Sequence, residues 1–108
     1  MSRAYEMAIE VTGIARGRKK QVKKAVRSQW NVEATGGKGR DAFMAGEGSL
    51  CGGESETEFS ERLARSVWQA NGDYCEVLVR ATSLEELPYE THYFGRGDYK
   101  KMGRRDHA

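Results

Sequence analysis

Ser55-Glu56-Thr57-Glu58-Phe59, closed by Asn71-Gly72 and followed by Tyr74-Cys75-Glu76-Val77-Leu78-Val79-Arg80-Ala81, is a helix–strand unit from which the rest of the fold is read. The Ser55 hydroxyl can accept from the amide three residues on while Glu58 reaches back, which is a capping box. Glutamates in the first turn also suit the positive end of the helix dipole. Phe59, Leu63 and Val67 recur every four residues, with Ala64, Trp68 and Ala70 beside them, so one stripe faces a core. Asn71-Gly72 supplies a left-handed stop. In the strand, Cys75, Val77, Val79 and Ala81 share a face, because successive strand side chains alternate.

Working back from that unit, residues 42–51 read as another strand. Gly46-Glu47-Gly48 inside it suggests a bulge or a close approach of backbone. Gly36-Gly37-Lys38-Gly39-Arg40-Asp41 is a flexible connection, preceded by a short strand with Trp30, Val32 and Ala34 facing one way. Residues 16–29 read as a helix whose apolar positions, Val22 and Val26 with Trp30 just beyond, are spaced by four. At the start, Tyr5, Met7, Ile9 and Val11 alternate with Glu6, Ala8, Glu10 and Thr12, the period of a strand with one buried face.

The order βαββαβ predicts an α+β, ferredoxin-like fold: an antiparallel four-stranded sheet, spatial order 4-1-3-2, with both helices on one face. Strand one then separates Cys51 from Cys75, which argues against a disulfide between them. Residues 1–94 form the expected single domain, since 108 residues suffice for one core and not two. Within it, residues 84–88 read as a turn or short helix ended by Pro88, and 89–94 as a further strand or a wrap around the body. Residues 95–108 are expected as a basic, flexible tail with only Tyr99 and Met102 as apolar anchors.

No apolar run approaches the roughly 18–20 residues of a membrane helix, and Met1-Ser2-Arg3-Ala4-Tyr5-Glu6 lacks the apolar stretch of a secretory signal. A cytoplasmic location with no membrane partner is the expectation. Cys51, Cys75, His92 and His107 are too few and too scattered for a zinc spacing, so no metal and no cofactor are expected. Glu6, Glu10 and Glu76 could gather on the outer sheet face, but strand glutamates there are mostly solvated.

The charge is segregated. Over residues 1–30, eight basic residues face only Glu6 and Glu10; over 31–90, twelve acidic residues face five basic; over 91–108, five basic face two acidic. No acid occurs between Val11 and Val32. Arg16, Arg18, Lys19, Lys20, Lys23, Lys24 and Arg27 therefore form a cationic helix region without internal ion pairs, which reads either as a footprint for phosphates or an acidic protein surface or as a solvated helix face. Lys100, Lys101, Arg104 and Arg105 could extend it. The open sheet face, with Glu6, Glu10 and Glu76, is acidic and lacks the aromatic signature of sheet-type RNA readers. Seven glycines fall between Gly36 and Gly53, but no Gly-Lys-Ser/Thr opens a helix there. No serine, cysteine or lysine stands in a nucleophile's local signature, so no catalytic residue is assigned and the chain is not expected to be an enzyme.

The block Gly46-Glu47-Gly48-Ser49-Leu50-Cys51-Gly52-Gly53, running through the Ser55–Gly72 unit and Tyr74 to Thr82 and on to Leu87-Pro88-Tyr89-Glu90-Thr91, resembles a family of small proteins encoded by prophages and integrative mobile elements of proteobacteria. The resemblance covers the C-terminal half and brings no catalytic residues with it. It implies a setting, a small accessory protein of a mobile element in a bacterial cytoplasm, and proteins of that kind are often binders that redirect or block host machinery. On that footing the expected function is a non-enzymatic binding protein docking by its basic helix on a host protein or ribonucleoprotein complex, in concrete form an inhibitor of host defence such as an anti-CRISPR. The alternative is a sequence-tolerant nucleic-acid binder contacting phosphates through the same helix. Sheet edges that could pair between chains leave dimerisation open.

Overall fold

The computed structural model describes residues 3–50, 53–84 and 89–103. In chain order they form β1 (Arg3–Thr12), α1 (Lys19–Gln29), β2 (Ala34–Gly36), β3 (Ala42–Leu50), α2 (Glu56–Asn71), β4 (Glu76–Ser83) and β5 (Glu90–Phe94), then a helical turn α3 (Arg96–Asp98) running into a π-helix at Tyr99–Gly103. The sheet order is β2-β3-β1-β4-β5, every neighbouring pair antiparallel. The α+β class and the expected order of the first four strands hold, but the sheet has five strands rather than four. Residues 89–94 had two readings; pairing of Val77 with Phe94 through Ala81 with Glu90 makes them the fifth strand.

The alternation in β1 does what its period requires. Tyr5, Met7, Ile9 and Val11 are buried beneath the helices while Glu6 and Glu10 face outward. Val22 and Val26 of α1, and Phe59, Leu63, Ala64, Val67 and Trp68 of α2, close the core from the same side. The capping box at Ser55 and Glu58 is present, and Gly72 ends α2 at φ 76°. Two boundaries differ from expectation. The first helix starts at Lys19, and Trp30 caps it instead of opening a strand: its indole Nε1 donates to the Gly46 carbonyl at 2.8 Å and its ring meets Phe59 edge-on. The second strand is correspondingly short, because the chain must first pass over β3.

That passage explains the β3 glycines. A Cβ on Gly46 would collide with the Asn31 carbonyl oxygen, and one on Gly48 would stand 2.8 Å from the Trp30 ring. The register with β1 runs unbroken from Arg3–Leu50 to Val11–Ala42, so they mark close approach and not a bulge. Within the expected tail, Arg96–Gly103 is helical, Tyr99 packs on Trp68 at 5.2 Å and on Tyr74 at 5.7 Å, and Met102 is buried. Of the segment expected as a turn or short helix, residues 85–88 lie outside the described residues, as does Cys51. Among the described residues no helix is long and apolar enough to cross a membrane.

Candidate functional site

The antiparallel order decides which connections meet. The β1–α1 loop, the β2–β3 connection and the carboxyl end of α2 all lie at one end of the sheet. There the loop is clamped from two sides. The Ile14 amide donates to the Arg40 carbonyl at 2.9 Å, the Arg40 Nε donates back to the Ile14 carbonyl, and the Gly13 amide reaches Asp41 Oδ1 at 3.3 Å. From α2, the buried Asn71 accepts from the Ala15 amide at 2.7 Å and donates to the Asp73 carbonyl at 2.9 Å. Gly13 and Gly17, both near φ 80°, let the chain turn between these anchors. Asn71, read from sequence as a helix stop, is thus also a strut that fixes where α1 begins.

On this platform Arg16 and Arg18 stand exposed in the loop, with Arg18 at the cap position making no side-chain cap bond. Lys20, Lys24 and Arg27 are exposed along α1, and Lys23 is half-buried. At about 100° per residue these four fall on one flank of the helix, beside the buried Val22–Val26 stripe. No side chain of the four makes a hydrogen bond or ion pair among the described residues. Lys19 differs: its Nζ donates to the Gly37 and Gly39 carbonyls at 3.3 and 3.1 Å, so it braces the β2–β3 connection. That brace sets the exposed Lys38 and Arg40 against the amino end of α1. Neither was assigned to the basic patch from sequence. The 4-1-3-2 order was the available signal, since it puts the β2–β3 connection at the end where α1 starts.

The Tyr99–Tyr74 contact holds exposed Lys100 and Lys101 at the same end of the sheet, with Arg96 stacked 4.5 Å over the Tyr74 ring. Arg104 and Arg105 lie outside the described residues. The opposite end carries Glu54, Glu56 and Glu58 around the amino end of α2, where Arg62 grips Glu54 through two hydrogen bonds and also contacts Gln29.

The open sheet face keeps Glu6, Glu10, Glu47 and Glu76 exposed, as the alternation predicts for β1 and β4. The fifth strand adds what the sequence reading left out. Phe43, Glu10, Leu78 and Tyr93 stand in one row across four strands, Phe43 and Tyr93 both exposed. The Tyr93 hydroxyl donates to Glu76 at 2.7 Å; chiefly that bond pushes its phenol up to about 12. Arg80 lies 5.3 Å from the Tyr89 ring. The face has aromatic rings on its flanking strands, but β1 at its centre presents carboxylates, which repel a nucleic-acid backbone.

One group of potential metal ligands gathers among the described residues, and it is not Glu6, Glu10 and Glu76 but Glu56, Glu90 and His92. Cys75 is buried, so it offers no accessible nucleophile. Comparisons with family models, with curated proteins and with solved structures find no match.

Proposed function

We propose that the chain is a ferredoxin-like core widened by one strand and that it works as a non-enzymatic binding protein. It docks through Arg16, Lys20, Lys23, Lys24 and Arg27, with Lys38 and Arg40 at the margin, on an acidic surface of a host protein or ribonucleoprotein complex. In the mobile-element setting implied by the resemblance, its concrete form is an inhibitor of host defence such as an anti-CRISPR.

The observation that carries the reading is a helix built against its own local electrostatics. Its first turn holds two lysines and no acid, and no side chain caps it. Cations at the positive end of a helix dipole cost about 0.3–1 kcal/mol each, and the missing acids forgo pairs worth about 0.2–0.5 kcal/mol. Local stability therefore does not account for this composition, whereas an external anionic partner does. The clamped loop adds preorganisation, which lowers the entropy lost on docking.

The test is affinity capture from host lysate, with and without nuclease, comparing the native chain with one in which Lys20, Lys23, Lys24 and Arg27 are changed to Glu. Lys19 is left intact because it braces the fold, and circular dichroism checks that the variant is folded. A defined, nuclease-resistant complex captured by the native chain alone supports the proposal. Capture of nuclease-sensitive material only points to direct phosphate binding. Equal capture by both chains overturns the role of the helix, and saturable turnover of any substrate overturns the non-enzymatic reading.

A further inference from the structure

We propose that Glu56, Glu90 and His92 form a zinc-binding site that ties the edge strand β5 to the amino end of α2. The ligand set is assembled by the fold. His92 pairs with Val79 and Glu90 with Ala81, both buried toward the helices, so the two β5 side chains share the helix-facing side. Glu56 is the first residue of α2, and the capping box at Ser55 and Glu58 fixes that turn. One ligand atom from each of the three residues lies within 4.8 Å of the others.

The geometry suits an ion better than it suits the pair alone. His92 Nε2 stands 3.3 Å from Glu56 Oε1, whereas a charge-assisted hydrogen bond closes to about 2.7–2.9 Å. Two ligands bound at about 2.0–2.1 Å around a tetrahedral ion are separated by roughly 3.3 Å. The third, Glu90, is exposed and can close the remaining gap by rotation of its own side chain. His92 and Glu56 keep only 13% and 21% of their side chains exposed, so water competes weakly with a bound ion. Among the described residues no lysine or arginine pairs with Glu56 or Glu90, leaving two adjacent carboxylates that a dication would offset.

The chemistry selects the ion. One imidazole nitrogen and two carboxylate oxygens favour zinc over magnesium or calcium, which prefer all-oxygen shells of six or more. Three protein ligands leave a position for water, and the bound ion would link elements that share few other contacts. Sequence spacing hid the set, because Glu56 and His92 are 36 residues apart.

The test uses untagged, reduced protein with Co²⁺ as a spectroscopic stand-in and Zn²⁺ in competition, alongside thermal melts. The expected result is one ion per chain, visible-region Co²⁺ bands displaced by Zn²⁺, and a melting temperature raised by Zn²⁺ but not by Mg²⁺. Outer-shell changes at zinc sites weaken binding roughly 10–100-fold, so the ligand substitutions Glu90→Gln and His92→Gln should each weaken it at least about tenfold. His107→Ala and Cys51→Ser should leave it unchanged. Glu90→Gln alters an exposed group, so its fold is retained if His92→Gln misfolds. Absence of Co²⁺ bands, unchanged binding in Glu90→Gln, or loss of binding in His107→Ala or Cys51→Ser overturns the proposal.

Discussion

Cys75 is 1% exposed beside the amino end of β4, and its thiol is pushed from 9.0 up to about 12, first by burial and then by the negative charge of Asp73. The fold favours the neutral thiol, so this contribution to stability is complete below pH 9 and drains away as pH rises from 9 to about 12. In a Cys51→Ser protein at pH 8, Cys75 should react with a disulfide reagent only as fast as the chain opens, and at full speed in denaturant; stopped-flow absorbance of the released thiolate measures both. Burial of Cys75 was legible because alternation along β4 is local. The tasks of Asn71 and Ile14 were not. Asn71 holds an amide 56 residues away, and Ile14 is buried in a loop whose partners come from the β2–β3 connection and α2, so nothing in their own surroundings signals either role.

At the level of elements, β3 is shaped by what lies across it. Gly46→Ala would drive a methyl into the Asn31 backbone, and backbone cannot swing aside as a side chain can. Overpacking costs about 1–3 kcal/mol and occasionally more, so Gly46→Ala should fall at or beyond the top of that range. Gly48→Ala, meeting a ring, should cost less; urea denaturation of both proteins gives the comparison. A close approach at these glycines was one of two readings the sequence allowed. What it could not show was that Trp30 is the object approached, since a tryptophan after a helix fits a strand's first residue as well as a cap. The fifth strand was ambiguous for a related reason. Tyr89 to Phe94 alternates weakly, because Glu90 and His92 on its inner side sit at the rim of the core and are not apolar.

For the whole molecule, the expected boundary at residue 94 understates what the last segment does. Ending the chain after Phe94 removes Tyr99 from the Trp68 ring and uncovers the site of Met102, which is 7% exposed. Fully burying one such side chain is worth about 1.5–3 kcal/mol, so the truncation should lower unfolding stability by about 2–4 kcal/mol in a urea titration. Two large apolar residues in fourteen form too sparse a pattern to predict packing; the uncovered edge of Trp68 decides it. The cationic surface was legible as composition, and only the strand order revealed that loop, connection and last segment bring their cations to one end, with Glu54, Glu56 and Glu58 at the other. A body polarised in this way carries a permanent electric moment along its strands. Near a polyanionic surface it experiences a torque before contact and turns its basic end forward, so added salt should slow arrival far more than it hastens departure.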